Sequence, residues 1–267
     1  MGSWKFGASA KEFERFEEYA RQFDLLEVDL EKAEKLGFDL PAVVEMIRPF
    51  ENRLYSIHLR YGPDKEAGLD GIDVSLRDLE FFCQSGLTDE LRISTFVTHT
   101  DSPREYREFE HHLARLGAAA AQYGVTVAVE NLSDRKNKTN GYMDPRNPRK
   151  LAEVLDVLRN PHLGLCLDTG HAIGNAGLTD SLQWDTDAMR RWIRHVHYND
   201  NVIREDKHLP LGEATNPLLI GNVKYLLENS VHDGVAIFEH KKLDFALQSM
   251  AYAQTAGYRG IAAAPIK

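Results

Sequence analysis

Short apolar runs alternate along this chain with longer stretches in which apolar residues recur every three or four positions. The short runs are WKFGA (4–8), LLEVDL (25–30), LYSIHL (54–59), ISTFVTH (93–99), VTVAVEN (125–131), LGLCLD (163–168), IRHVHYN (193–199) and VAIFEH (235–240). Each is mostly apolar and ends on or beside a polar residue, the pattern expected of strands covered on both faces. The longer stretches predict helices. SAKEFERFEEYARQF suggests a cap at Ser9 with Glu12 three residues on. SPREYREFEHHLARLGAAAAQYG is closed by Gly124, and NPRKLAEVLDVLRN carries Pro148 near its first turn. TNPLLIGNVKYLLENS and LDFALQSMAYAQTAG follow later strands.

Eight strands alternating with about eight helices predict one (β/α)₈ barrel. The whole chain, residues 1–267, reads as one domain. An open doubly wound sheet is the alternative, but FGASA after the first strand is no dinucleotide fingerprint. The longest polar insert, SDRKNKTNGYMDPRN (133–147), follows a strand and would lie over the catalytic face.

In a barrel, catalysis sits where the strands end. Polar residues collect there: His58, His99, Glu130 with Asn131, Asp168 with His171, His197, and Glu239 with His240. Any one of them has a bland reading, such as a core histidine, a paired carboxylate or, for Asp168, a helix cap. A ring of imidazoles and carboxylates around one opening is costly to desolvate unless a cation is shared. With Asp206 and His208 from the following segment, the candidate metal ligands number nine: His58, His99, Glu130, Asp168, His171, His197, Asp206, His208 and Glu239. One ion takes about four to six ligands, so the set suggests two or three. The donors suit zinc first, with manganese or cobalt as alternatives. His195 alternates with His197 and shares its face; His197, nearer the strand end, is taken as the ligand. Lys241 and Arg60 read as solvated charges, with a substrate phosphate as the sharper alternative.

Composition narrows the partners. The net charge of −9 disfavours nucleic acid. No apolar run is long enough for a membrane span, and MGSWKFGASA is too short and polar for a signal peptide. Cys83 and Cys166 read as buried free thiols of a cytoplasmic protein.

The motifs VAVENL, LGLCLDTGHA, HVHYND, DKHLPLGE and FEH, in this order, resemble the xylose isomerase-like TIM-barrel superfamily. That group holds sugar isomerases and epimerases, inosose dehydratase relatives and endonuclease IV. The resemblance to endonuclease IV, with its three zinc ions, implies three groups of ligands. His58, His99 and Glu130 would form the first. Glu130, Asp168, His197 and Glu239 would form the second, and His171, Asp206 and His208 the third. The wording ENLSD and DTGHA is closer to the sugar-isomerase branch, and Ala214 stands where the family usually has glycine. By resemblance to the ketose epimerases, Glu130 and Glu239 would be the catalytic acid–base pair, acting on a small carbohydrate-like substrate. An endonuclease IV-like phosphodiesterase is the second reading, and a metal-binding barrel without catalysis the third.

Overall fold

The computed structural model describes residues 4–64, 67–99, 106–133, 146–175, 186–214 and 217–258. Most of the polar insert, residues 134–145, and the expected start of the helix at Ser102 lie outside them. All eight expected strands form: β1 (Trp4–Ser9), β2 (Leu25–Asp29), β3 (Leu54–His58), β4 (Ile93–Thr98), β5 (Val127–Glu130), β6 (Leu163–Asp168), β7 (Ile193–His197) and β8 (Gly234–Phe238). They pair in parallel in chain order, and β8 returns to β1, closing a (β/α)₈ barrel.

Three apolar clusters hold the fold among the described residues. The largest lies between barrel and helices, where outward strand residues such as Leu26, Val28 and Phe96 meet helix residues such as Phe82, Phe109 and Leu113. The smaller zones lie inside the barrel: Leu25, Val235 and Ile237 form one cluster, and Val97, Ala128 and Cys166 another. Because strand side chains alternate, the inward residues at the C-terminal ends include Asp29, His58, Glu130, Asp168 and His197. Register brings them level, with Asp29 paired to His58 and Asp168 to His197.

Two local expectations are corrected. Ser9 is not a helix cap. It ends β1, paired with Glu27, and Ala10 N–H extends that ladder to the Glu27 carbonyl. The helix begins later, as a 3₁₀ turn at Phe13–Arg15 followed by Phe16–Gln22. Glu12 makes no box with a cap; its carboxylate accepts from Leu243 N–H at 2.8 Å, tying the first loop to the last helix. Cys83 is half-buried rather than buried, whereas Cys166 is buried; both are free thiols. No helix among the described residues is long and apolar enough to cross a membrane.

Gly7 shows how tightly β1 is seated. A Cβ there would lie 2.2 Å from the Leu25 carbonyl oxygen, a backbone atom that cannot swing away. Gly7→Ala is therefore expected to destabilise the protein by about 2 kcal/mol or more. Urea unfolding measures this, and a change below about 0.5 kcal/mol would mean that β1 and β2 can part freely.

Candidate metal centre

All nine expected ligands fall among the described residues, and the structure gathers them at one end of the barrel. Six stand at strand ends, His171 comes from the short helix Thr169–Gly174 that follows β6, and Asp206 and His208 come from the loop after β7. Glu130 is the meeting point. Its Oε2 lies 3.0 Å from His58 Nε2, 2.9 Å from His99 Nε2 and 3.2 Å from His197 Nδ1, and its Oε1 lies 3.2 Å from His171 Nδ1.

Local hydrogen bonds aim each donor. His58 Nδ1–H donates to the Leu59 carbonyl at 3.1 Å, leaving Nε2 toward Glu130. His171 Nδ1–H donates to the Asn131 carbonyl at 2.9 Å, leaving Nε2 toward Asp206 at 3.6 Å. His197 Nε2–H donates to Glu27, with Nε2 3.0–3.1 Å from both carboxylate oxygens. Its Nδ1 then faces Glu130, Glu239 at 3.6 Å and Asp168 at 3.9 Å. A partner that fixes the tautomer on one nitrogen and frees the other is the usual support of a metal-ligating histidine.

The motifs have local reasons. Asn131 donates to the Asp168 carbonyl at 3.0 Å and accepts from Asp168 N–H at 2.8 Å, locking β5 to β6. Asp168 is both candidate ligand and helix cap, accepting from His171 N–H at 2.7 Å. Gly170 is required because a Cβ there would sit 1.7 Å from Asn199 Oδ1. After β7, Asp200 and Leu209 exchange backbone hydrogen bonds of 2.8 and 2.9 Å, folding the chain between them back over the barrel. Asp200 Oδ2 accepts from Gly212 and Ala214 N–H, each at 3.1 Å, so alanine at 214 keeps the loop anchored. His208 takes the left-handed conformation, φ 52°, unusual for a side-chain-bearing residue. His240 holds it there: Nδ1–H donates to the His208 carbonyl at 3.1 Å, and Nε2 accepts from Ser249 at 2.8 Å.

Among the described residues, four groups of donors at this end could hold an ion, with the ligand atoms of each within 4.8 Å of one another: His58–His99–Glu130, Glu130–Asp168–His197, Asp168–His208–Glu239 and His171–Asp206–His208. A fifth, Cys166–His195–His197, lies deeper. The fit to a cation has a further mark. His197 Nδ1, Glu239 Oε2 and Asp206 Oδ1 are buried, face this set and make no hydrogen bond among the described residues. Such atoms call for an electrophile.

Several residues of the candidate site escaped the sequence reading. Glu27, on β2, is buried and accepts from Ser56 at 2.7 Å, while His195 Nε2 lies 3.1 Å from it, one step below His197. Its signal was a lone carboxylate inside an apolar strand, with Asp29 on the same face. Lys11, just past β1, lines the cavity, as do Asp29 and Tyr61. Lys241 also lines it, but Arg60 does not; its guanidinium is held by Asp78 at 2.5–2.8 Å.

The family can now be stated. A model of the xylose isomerase-like TIM barrel matches residues 29–259. The chain belongs to that family. The uncharacterised protein MJ1311 of Methanocaldococcus jannaschii is 28% identical over 145 residues, 51% of this chain and 44% of that one. The probable endonuclease 4 of Aquifex aeolicus is 23% identical over 196 residues, 65% of either chain. This chain thus spans less than two thirds of the length of both relatives. A solved D-tagatose 3-epimerase-like protein shares the fold with a TM-score of 0.67 and 22% identity, covering 94% of this chain and 96% of its own.

The electrostatics bear on metal uptake by this family member. Burial opposes charge on His58, yet the hydrogen-bonded Glu130 carboxylate raises its pKa to about 9. Burial likewise opposes charge on His171, but Asp168 and Glu130 raise it to about 9. His208, against Glu239 and Asp206, rises to about 10 despite its burial. Burial, reinforced by Glu239 and Glu130 against the pull of His171, lifts Asp168 to about 7. In the metal-free protein, protons on His58, His171 and His208 therefore compete with ligation at pH 7 and must leave as an ion binds. Zinc binding should release more than one proton per chain at pH 7, and affinity should climb with pH toward about 9–10. Calorimetry in buffers of different ionisation enthalpy measures this; binding without proton release would mean that these imidazoles are not ligands.

Proposed function

We propose that this protein is a metal-dependent epimerase or isomerase of a small sugar, polyol or related hydroxy-carbonyl compound. The observation that carries the reading is the cavity: about 340 Å³, at the low end of small-molecule pockets, walled by His58, His99, His171 and His208 and by Glu130 and Glu239. A bound divalent ion, zinc by preference, would supply Lewis acidity at a carbonyl and its neighbouring hydroxyl. His58, His99, Glu130, Asp168, His171, His197, Asp206, His208 and Glu239 are the residues that would hold one to three such ions.

The chain's own work is proton movement. Glu130 or Glu239 takes the proton from the carbon beside the carbonyl. The C–H electron pair becomes a carbon–carbon double bond, and the carbonyl π pair moves to oxygen. The other glutamate, in its protonated form, gives its proton to the opposite face in an epimerase, or to the neighbouring carbon in an isomerase, where the hydroxyl proton also passes to the former carbonyl oxygen. Low exposure of both carboxylates, 1% and 6%, keeps water from competing. The D-tagatose 3-epimerase-like protein supports this reading through its name. Two free cysteines suit a reducing compartment such as the cytoplasm.

A phosphodiesterase like endonuclease IV is the second reading. It is favoured by the His171–Asp206–His208 group, which could clamp a phosphate-bound ion, and by the name of the Aquifex aeolicus relative. The net charge of −9 opposes it, because binding to a nucleic-acid backbone draws on basic surface.

The test is a panel of ketoses in deuterium oxide with zinc-, manganese- or cobalt-loaded protein, followed by proton NMR. Deuterium should enter the carbon beside the carbonyl, and Glu130→Gln and Glu239→Gln should each slow exchange by roughly 10²-fold or more. Efficient metal-dependent incision of abasic DNA at physiological salt, with no exchange on any sugar, would put the nuclease first.

A further inference from the structure

Like β2, whose end residue Asp29 stands outside the ligand groups, the first strand adds no histidine or carboxylate to them among the described residues. It contributes a cation instead. Lys11 follows β1 by two residues, and barrel order sets it between β8 and β2. Its Nζ lies 2.6 Å from Glu239 Oε1 and 3.8 Å from Asp29 Oδ2. The side chain is 19% exposed, and that exposure opens into the cavity it lines with His58, Glu130 and Glu239. An ammonium has three N–H donors, and among the described residues one is engaged, on Glu239. Two remain for a ligand.

The placement also divides Glu239. Oε1 is held by Lys11, whereas Oε2 lies 3.1 Å from His208 Nδ1 and 3.6 Å from His197 Nδ1, on the metal side. Lys11 thus stands beside the centre without being one of its ligands, a positive charge fixed where the cavity meets a proton-moving carboxylate. A neutralising lysine alone would not need to face the cavity.

The geometry points to Lys11 as a further catalytic residue: its ammonium donates to the substrate oxygen that gains negative charge as the carbon-bound proton leaves. This rests on the enediolate reading above. No proton need leave Lys11; the proton goes to a glutamate, and the carbonyl electron pair settles on the oxygen that Lys11 faces. A preorganised donor in a dry site stabilises charge that exists only beyond the ground state.

The test uses cobalt-loaded full-length protein and two probes of nearly equal size. Glycolohydroxamate presents the anionic pair of oxygens of an enediolate, and glycolamide is its neutral counterpart. Binding is read from the visible cobalt spectrum, and cobalt affinity is measured separately. Lys11→Met should weaken glycolohydroxamate roughly tenfold to a hundredfold, as expected for a lost hydrogen bond to charge, while glycolamide stays within about twofold. Lys11→Arg should restore most of the anion binding. Equal binding of the anion by Lys11→Met and wild type overturns the assignment alone. So does equal weakening of both probes, or a loss confined to cobalt affinity, since Lys11 would then only hold Glu239. Failure of the wild type to bind glycolohydroxamate removes the enediolate reading, and this assignment with it.

Discussion

A deeply buried carboxylate governs the C-terminal end of this barrel. Glu130 is 1% exposed, and four imidazoles surround it at 2.9–3.2 Å. Glu27 and Asp168 are as deeply buried in the same space, and Glu239 nearly so. Isolated charges of this kind cost several kcal/mol each to bury, and their mutual repulsion adds to that. The arrangement is stable only with compensating positive charge, from protonated histidines in the bare protein or from metal ions in the loaded one.

Much of the surrounding structure serves that balance. The Asn131–Asp168 exchange, Glu27 under His197 and the carbonyls behind His58 and His171 each fix one donor's direction. The loop after β7 is folded back by Asp200 and held by His240 so that Asp206 and His208 close the set, with His208 carrying local strain. Strain and buried charge meet at one place within an otherwise conventional apolar barrel, and together they single out its C-terminal end as the candidate site.

The barrel was legible because both-faces burial leaves a plain mark, and all eight strands were found within a few residues. The candidate ligands were legible because a polar residue ending an apolar run stands out. What stayed hidden depended on contacts that spacing does not carry. Lys11 reads as part of a helix start, and only barrel closure sets it beside Glu239, 228 positions away. Glu27 needed the knowledge that its strand faces His197 across the barrel. Ser9 looked like a cap because a serine before a charged amphipathic run has two outcomes, and pairing with β2 chose the strand. Arg60 could not be separated from Lys241 until Asp78 was seen to hold it.

The central claim is that this ring of buried carboxylates and imidazoles is a metal centre. Elemental analysis of protein purified without chelator, then offered zinc, manganese and cobalt and desalted, tests it most directly. The account predicts at least one equivalent of a divalent transition ion per chain, lost when Glu130 and Asp168 are both replaced by alanine in a protein that still folds. Less than about a tenth of an equivalent in the wild type, with every ion offered, would contradict it.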